Sequence, residues 1–155
     1  MAKPLDQFGG WLKFYYVMQW IAVFLAVTGI MLMLATIASK SNAERLYIQL
    51  LVLESIIAII ILVLIQRCVK IKDPTIPKRI INLLLVLLGV ALVFTVFQAL
   101  AVYYFPYPGI DIAKELKDLS RHAASSASTC AIWISYFKKS RRVAAYYESI
   151  PKVTT

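Results

Sequence analysis

The sequence has few charged residues and few of the residue types that build catalytic or cofactor sites. Of its 155 residues only 16% are charged and 61% are hydrophobic, whereas about a quarter of a soluble domain is charged. The five glycines are scattered, so no phosphate-binding loop of the Rossmann or P-loop type is present. The single histidine has no cysteine or carboxylate cluster beside it. We therefore predict no catalytic residues, no metal and no cofactor.

Long apolar segments are what the sequence does contain. Three of them have the length of about 20 residues that a helix needs to cross a bilayer, and Glu54 is the only charged residue within them. Their lack of alternation argues against barrel strands. A fourth, less apolar segment is interpreted as a span, the alternative being a helix on the membrane surface. We predict an all-α membrane protein, a four-helix transmembrane bundle in one domain over residues 1–155, with spans at 14–38, 46–66, 80–105 and 119–137.

The distribution of positive charge predicts the orientation of this bundle. Most of the 17 Lys and Arg residues lie before the first span, in the connection 67–79 and in the basic tail 138–155. The positive-inside rule then places both termini in the cytoplasm. Because these charges flank helix ends, they favour contact with membrane lipids over nucleic acid. The first apolar run is too long for a cleaved signal peptide, so we expect it to be retained.

Two segments outside the spans have a helical pattern of their own. Residues 111–120 have an apolar and a charged face, which predicts a short amphipathic helix before the fourth span. This helix either lies at the outer surface or extends the fourth helix outward. At the inner side the helical pattern continues past residue 137. We expect that helix to project from the bilayer until near Pro151.

Glu54 is the first candidate for a functional residue, because an ionisable side chain within a span is costly and usually faces the bundle interior. At about 1.5 Å per residue it lies about 18 Å from Gln66 at the inner end of its span, and Ser125 has a similar depth. We expect Glu54 to bond a serine and to reach toward Arg121 or His122. A structural lock, a proton- or ion-linked site and ligand recognition all stay open. The candidate polar site comprises Glu54, Gln98, Arg121, His122, Ser125 and Ser128.

Small residues recur at every fourth position of the fourth span, at Ala123, Ala127 and Ala131. This spacing lets helix backbones approach closely, so the helix is either central in the bundle or faces a partner chain. Cys68 and Cys130 differ in predicted depth, and we expect both to be free thiols.

Two strings at the ends of the sequence indicate a family. Gly9-Gly10-Trp11-Leu12 precedes the first span, and Trp133-Ile134-Ser135-Tyr136-Phe137 ends the fourth, followed by Ser140-Arg141-Arg142-Val143. This pattern resembles a family of small four-helix bacterial inner-membrane proteins classed as a domain of unknown function, although Arg141 replaces a more usual lysine. The resemblance implies the topology and a bacterial inner-membrane location, and no activity. The strings either anchor the helix ends or form a cytoplasmic docking surface from Trp11, Trp133, Tyr136 and Arg142.

Two functions are compatible with these patterns. We predict a non-enzymatic accessory or scaffolding component that packs against another membrane protein or a second copy of itself. The alternative is a small transporter, or a lipid- or small-ligand-binding membrane protein, that uses Glu54 and the polar face of the fourth helix.

Overall fold

The computed structural model describes residues 8–107 and 109–148, which form helices and no strand. Four long helices pack side by side in chain order, and a short fifth helix follows. We call the end where α1 begins and α4 ends the lower end of the bundle, and the opposite end the upper end. The helices are α1 (Trp11–Thr36), α2 (Asn42–Val69), α3 (Ile76–Tyr104), α4 (Ile112–Lys139) and α5 (Arg141–Glu148).

Local sequence signals explain where the helices begin. At the start of α2 the Ser41 hydroxyl accepts a hydrogen bond from the Glu44 amide, and the Glu44 carboxylate accepts one from the Ser41 amide. This reciprocal pair is a capping box. The Asp111 carboxylate accepts a hydrogen bond from the Lys114 amide and caps α4 from one side only. Pro77 lies in the first turn of α3, where its missing N–H leaves no bond unmade.

Three of the helices are long and apolar enough to cross a membrane. They are α1 together with the short turn after it (Trp11–Ser39), α2 and α3. The prediction of an all-helical protein is confirmed, and its apolar helices are those expected of a membrane protein. The more polar α4 has the same length as α2 and packs along α3.

The amphipathic segment is not a separate helix. Residues 112–120 form the first turns of α4, which runs unbroken to Lys139, so the segment extends the fourth helix. The prediction of a helix projecting to near Pro151 is wrong within the described residues, and Pro151 itself lies outside them. Ser140 adopts an extended conformation with ψ of 117°, which ends α4. The chain then turns back as α5.

The hydrophobic core is concentrated in the lower half of the bundle. α5 covers this end with three buried side chains, Val143, Tyr146 and Tyr147, which pack with the lower ends of the long helices. The Tyr147 hydroxyl donates a hydrogen bond of 2.8 Å to the carbonyl oxygen of Val69, the last residue of α2. Burial raises the pKa of Tyr147. The tail thus closes the lower end of the bundle.

Candidate functional site

A cavity of about 530 Å³ lies among the four long helices, above the core. Its wall is mostly apolar and includes a few polar side chains. The lining residues are Gln19, Ala22, Ala26 and Met33 of α1; Leu51, Glu54, Ser55, Ala58 and Leu62 of α2; Leu84, Leu87, Leu88 and Ala91 of α3; and His122, Ser125, Ser126, Thr129, Cys130 and Trp133 of α4.

The cavity exists because α1 and α4 do not pack along each other. Each long helix packs along its neighbour in the chain, which leaves a gap between the first and the last. Below the cavity, Tyr15 of α1 closes this gap with ring contacts at 4.4 Å to Trp133 and 5.2 Å to Phe137. Higher up, Ala22 and Ser125 line the cavity and remain exposed. The gap therefore opens sideways above an aromatic floor.

Glu54 forms the polar centre of the cavity wall. Its side chain is buried, and one carboxylate oxygen, Oε2, accepts a hydrogen bond of 2.7 Å from the amide nitrogen of Gln98. The other oxygen, Oε1, lies 3.7 Å from Nε2 of His122. Three helices thus contribute one polar group each: α2 the carboxylate, α3 the amide and α4 the imidazole.

The helical period of α2 explains why Glu54 points inward. Buried Ile61 and Ile65 lie on the same side of α2 as Glu54, two to three turns further along. Packing this apolar stripe against α3 turns Glu54 toward Gln98, which is 1% exposed. A hydrogen bond with a charged partner contributes about 1.5–3 kcal/mol in proteins. The pair therefore couples α2 to α3.

The other predicted polar residues do not join this centre. Arg121 is 70% exposed at its side chain and lies 3.4 Å from Asp118 on its own helix. The Ser128 hydroxyl donates to the carbonyl of Ala124 and faces outward. Ser125 lines the cavity, but among the described residues no serine donates to Glu54. The expected serine bond is therefore wrong, and Gln98 takes that place.

Gln19 is a buried polar residue that the sequence reasoning missed. It lines the cavity near the floor, is 9% exposed, and its side-chain carbonyl oxygen has no hydrogen-bond partner among the described residues. Buried acceptors usually have a donor. The sequence could have indicated Gln19, because its side-chain amide lies in a span without charged residues and on the same helical face as Ala22 and Ala26.

The small residues of α4 divide between two environments. Ala123 and Ala127 are half-buried beside Leu119 and Cys130, on the side that packs on α3. Ala131 is exposed. Two of the three residues are therefore packing positions within the bundle. Buried Cys130 and half-buried Cys68 are free thiols, as predicted.

The two terminal strings meet at the lower end. Gly10 has a φ of +57°, a backbone conformation that residues with a side chain rarely adopt. A Cβ built on Gly10 would also lie 3.4 Å from Nε of Arg142, so glycine leaves room for the Arg142 side chain. Trp133 packs on Tyr15, and Tyr136 is half-buried. Trp11 is 64% exposed. Most of the predicted docking residues thus take part in the closure of the bundle.

No group of three or more His, Cys, Asp or Glu side chains able to hold a metal ion occurs within residues 8–107 and 109–148. Cys130 directs its thiol to the carbonyl of Leu84 at 3.7 Å. The cavity can therefore offer the Glu54 carboxylate, the His122 imidazole, serine and threonine hydroxyls and an apolar wall.

A family model described as "Protein of unknown function (DUF2569)" matches residues 5–147. This match confirms the resemblance to a family of unknown function. No curated protein and no solved structure matches the chain.

Proposed function

The chain belongs to the DUF2569 family of proteins of unknown function, and we propose that it is a multi-pass membrane protein that binds an amphipathic small molecule inside its bundle. The cavity around Glu54 carries this proposal. It has the size of a small-molecule pocket, mostly apolar walls and few polar groups, which is the usual composition of such a site. The gap between α1 and α4 would give a molecule access from the surrounding lipid.

The proposed activity is binding, or binding coupled to transport, without a chemical step. Cys130 and His122 are two turns apart on α4, and the thiol is directed to Leu84 rather than to the imidazole. Among the described residues, no lining hydroxyl or thiol is hydrogen-bonded to His122, which supports binding over nucleophilic catalysis. His122 instead faces the Glu54 carboxylate.

We further propose that α4 crosses the membrane as a fourth span, with both termini in the cytoplasm of a bacterial cell. The end of α4 packs at the same level as the beginnings of α1 and α3, since Phe137 shares a buried cluster with Leu12 and Ile76. Lys and Arg residues are concentrated at this lower end, which supports a cytoplasmic placement. The sequence of α4 is less apolar than the other spans because part of this helix lines the cavity with polar side chains.

Cysteine labelling tests this topology. In a background with Cys68→Ser and Cys130→Ser, we expect Ala113→Cys to react with a membrane-impermeant maleimide on intact spheroplasts. Glu148→Cys should react only after lysis, because α4 lies between the two positions. Ser39→Cys reports the outer side as a control. Labelling of both Ala113→Cys and Glu148→Cys from outside would contradict a fourth span.

Filling the cavity is the direct test of binding. Ala26→Phe places a ring in the cavity wall, whereas Ala35→Phe adds the same ring on the opposite, exposed face of α1. We expect native mass spectrometry of gently purified protein to show an equimolar bound small molecule with wild type and Ala35→Phe. Ala26→Phe should lose it. The same bound mass on all three proteins would show that the cavity is not the site.

A second candidate function is that of an accessory or scaffolding component. The outward face of α4 favours it, because this face carries exposed small and polar side chains where α1 to α3 present large apolar ones. Such a face suits contact with another membrane protein or a second copy. The same spectra test this function: recovery of an equimolar protein partner or a homo-oligomer supports it, and a monomer contradicts it. The face consists of Ser120, Ala124, Ser128, Ala131 and Ser135.

A further inference from the structure

The cavity lining contains a carboxylate and no Lys or Arg side chain. Besides Glu54, the lining contains one imidazole, that of His122, and several neutral polar side chains. A phosphate, sulfate or carboxylate head group would meet the Glu54 carboxylate with no fixed cation to compensate it. The charge of the lining thus disfavours an anionic amphiphile.

One oxygen of Glu54 is open to a ligand. Gln98 occupies Oε2 at 2.7 Å. Oε1 has no hydrogen bond among the described residues, and Nε2 of His122 lies 3.7 Å from it. The His122 side chain is 57% exposed, so it can move aside without losing buried packing. A donor entering the cavity would therefore find a fixed carboxylate with one oxygen unbonded.

The rest of the cavity fits an apolar body of limited length. Between His122 and Trp133 α4 rises about 16 Å, at about 1.5 Å per residue. Leu62, Leu84 and Leu87 line this distance, and the ring of Trp133 lies at its lower end. A molecule with a donor at its head and an apolar chain matches this arrangement.

From this geometry we infer that the cavity binds a cationic amphiphile, an alkyl amine whose ammonium group donates to Oε1 of Glu54. The chain of the ligand lies along the leucines toward Trp133. Gln98 holds the carboxylate in place, and the gap between α1 and α4 admits the molecule sideways from the lipid. This inference rests on the proposed binding function and specifies the chemistry of its ligand.

Three probes with the same chain separate the head-group classes. The full chain is reconstituted in nanodiscs of zwitterionic lipid, and saturable retention of radiolabelled dodecylammonium, dodecanol or dodecyl sulfate is measured against empty nanodiscs. We expect dodecylammonium to bind about tenfold more tightly than dodecanol, since a charge-assisted bond replaces a neutral one. Dodecyl sulfate should show no saturable retention. Equal affinity of wild type for dodecylammonium and dodecanol would overturn the inference without any variant.

Glu54→Gln assigns the selectivity to the carboxylate. We expect it to weaken dodecylammonium binding about tenfold and to change dodecanol binding less than about twofold. Glu115→Gln removes a carboxylate outside the cavity lining and should match wild type. Unchanged dodecylammonium binding in Glu54→Gln, together with its loss in Ala26→Phe, would refute the head-group assignment and leave the cavity as the site. Saturable binding that survives Ala26→Phe would instead refute the proposed function.

Discussion

Replacing Tyr147 by Ala is expected to lower the free energy of unfolding by about 3 kcal/mol, the lower end of the range for removing a buried aromatic ring. The side chain is fully buried at the lower end, and its hydroxyl is bonded to the carbonyl of Val69. The substitution would leave a void between α5 and the long helices and an unpaired carbonyl at the end of α2. Unfolding of the purified protein in mixed micelles, titrated with SDS, measures the change.

Two tyrosine variants separate the contributions to this effect. Tyr147→Phe keeps the ring and loses only the hydrogen bond, so we expect a loss of about 1 kcal/mol. Tyr104→Ala removes an exposed ring and should change stability by less than about 0.5 kcal/mol. If Tyr147→Ala were as stable as Tyr104→Ala, α5 would not be part of the folded bundle.

The second large effect is expected at the pair of Glu54 and Gln98. Gln98→Leu leaves the buried carboxylate without its donor, and we expect a loss of about 1–2 kcal/mol, since polar bonds between membrane helices reach about 1.7 kcal/mol. The double variant Glu54→Leu/Gln98→Leu removes both partners and should recover most of this stability. SDS titration of the two single variants and the double variant gives the coupling energy.

This cycle also separates a structural lock from a binding site. A double variant as stable as wild type that has lost dodecylammonium binding would indicate that the polar pair is retained for its ligand. Additive effects of the two single substitutions would contradict the direct contact between Glu54 and Gln98. A double variant about as unstable as either single variant would support the structural lock, because removing one partner already breaks the bond.

The sequence reasoning was most successful where a single property decided the outcome. Glu54 stood out because charge is costly within an apolar span, and the structure buries it against Gln98, another of the residues singled out. His122 was named as a residue within reach, and it faces the same carboxylate at 3.7 Å. Depth along a helix follows from counting residues, so groups of similar height could be paired from the sequence.

The sequence reasoning failed where helix rotation decided the outcome. Arg121 and His122 are adjacent in the sequence, but the rotation of α4 directs the imidazole to Glu54 and the guanidinium to Asp118. Gln19 was missed because an amide in a span has no charge to draw attention to it. The break at Ser140 also followed from packing, since α5 gains the buried contacts of Tyr147 by turning back.

The sequence by itself determined that this protein is helical, that three of its helices are long and apolar enough for a membrane, and that Glu54 is exceptional among their residues. These properties are local: hydropathy and the helical period depend on neighbouring residues alone. Only the tertiary structure decided that α1 and α4 stay apart above an aromatic floor, which creates the cavity, and that Gln98 and His122 face Glu54. The rotation and separation of helices depend on the summed packing of many side chains from different segments, which no local pattern specifies.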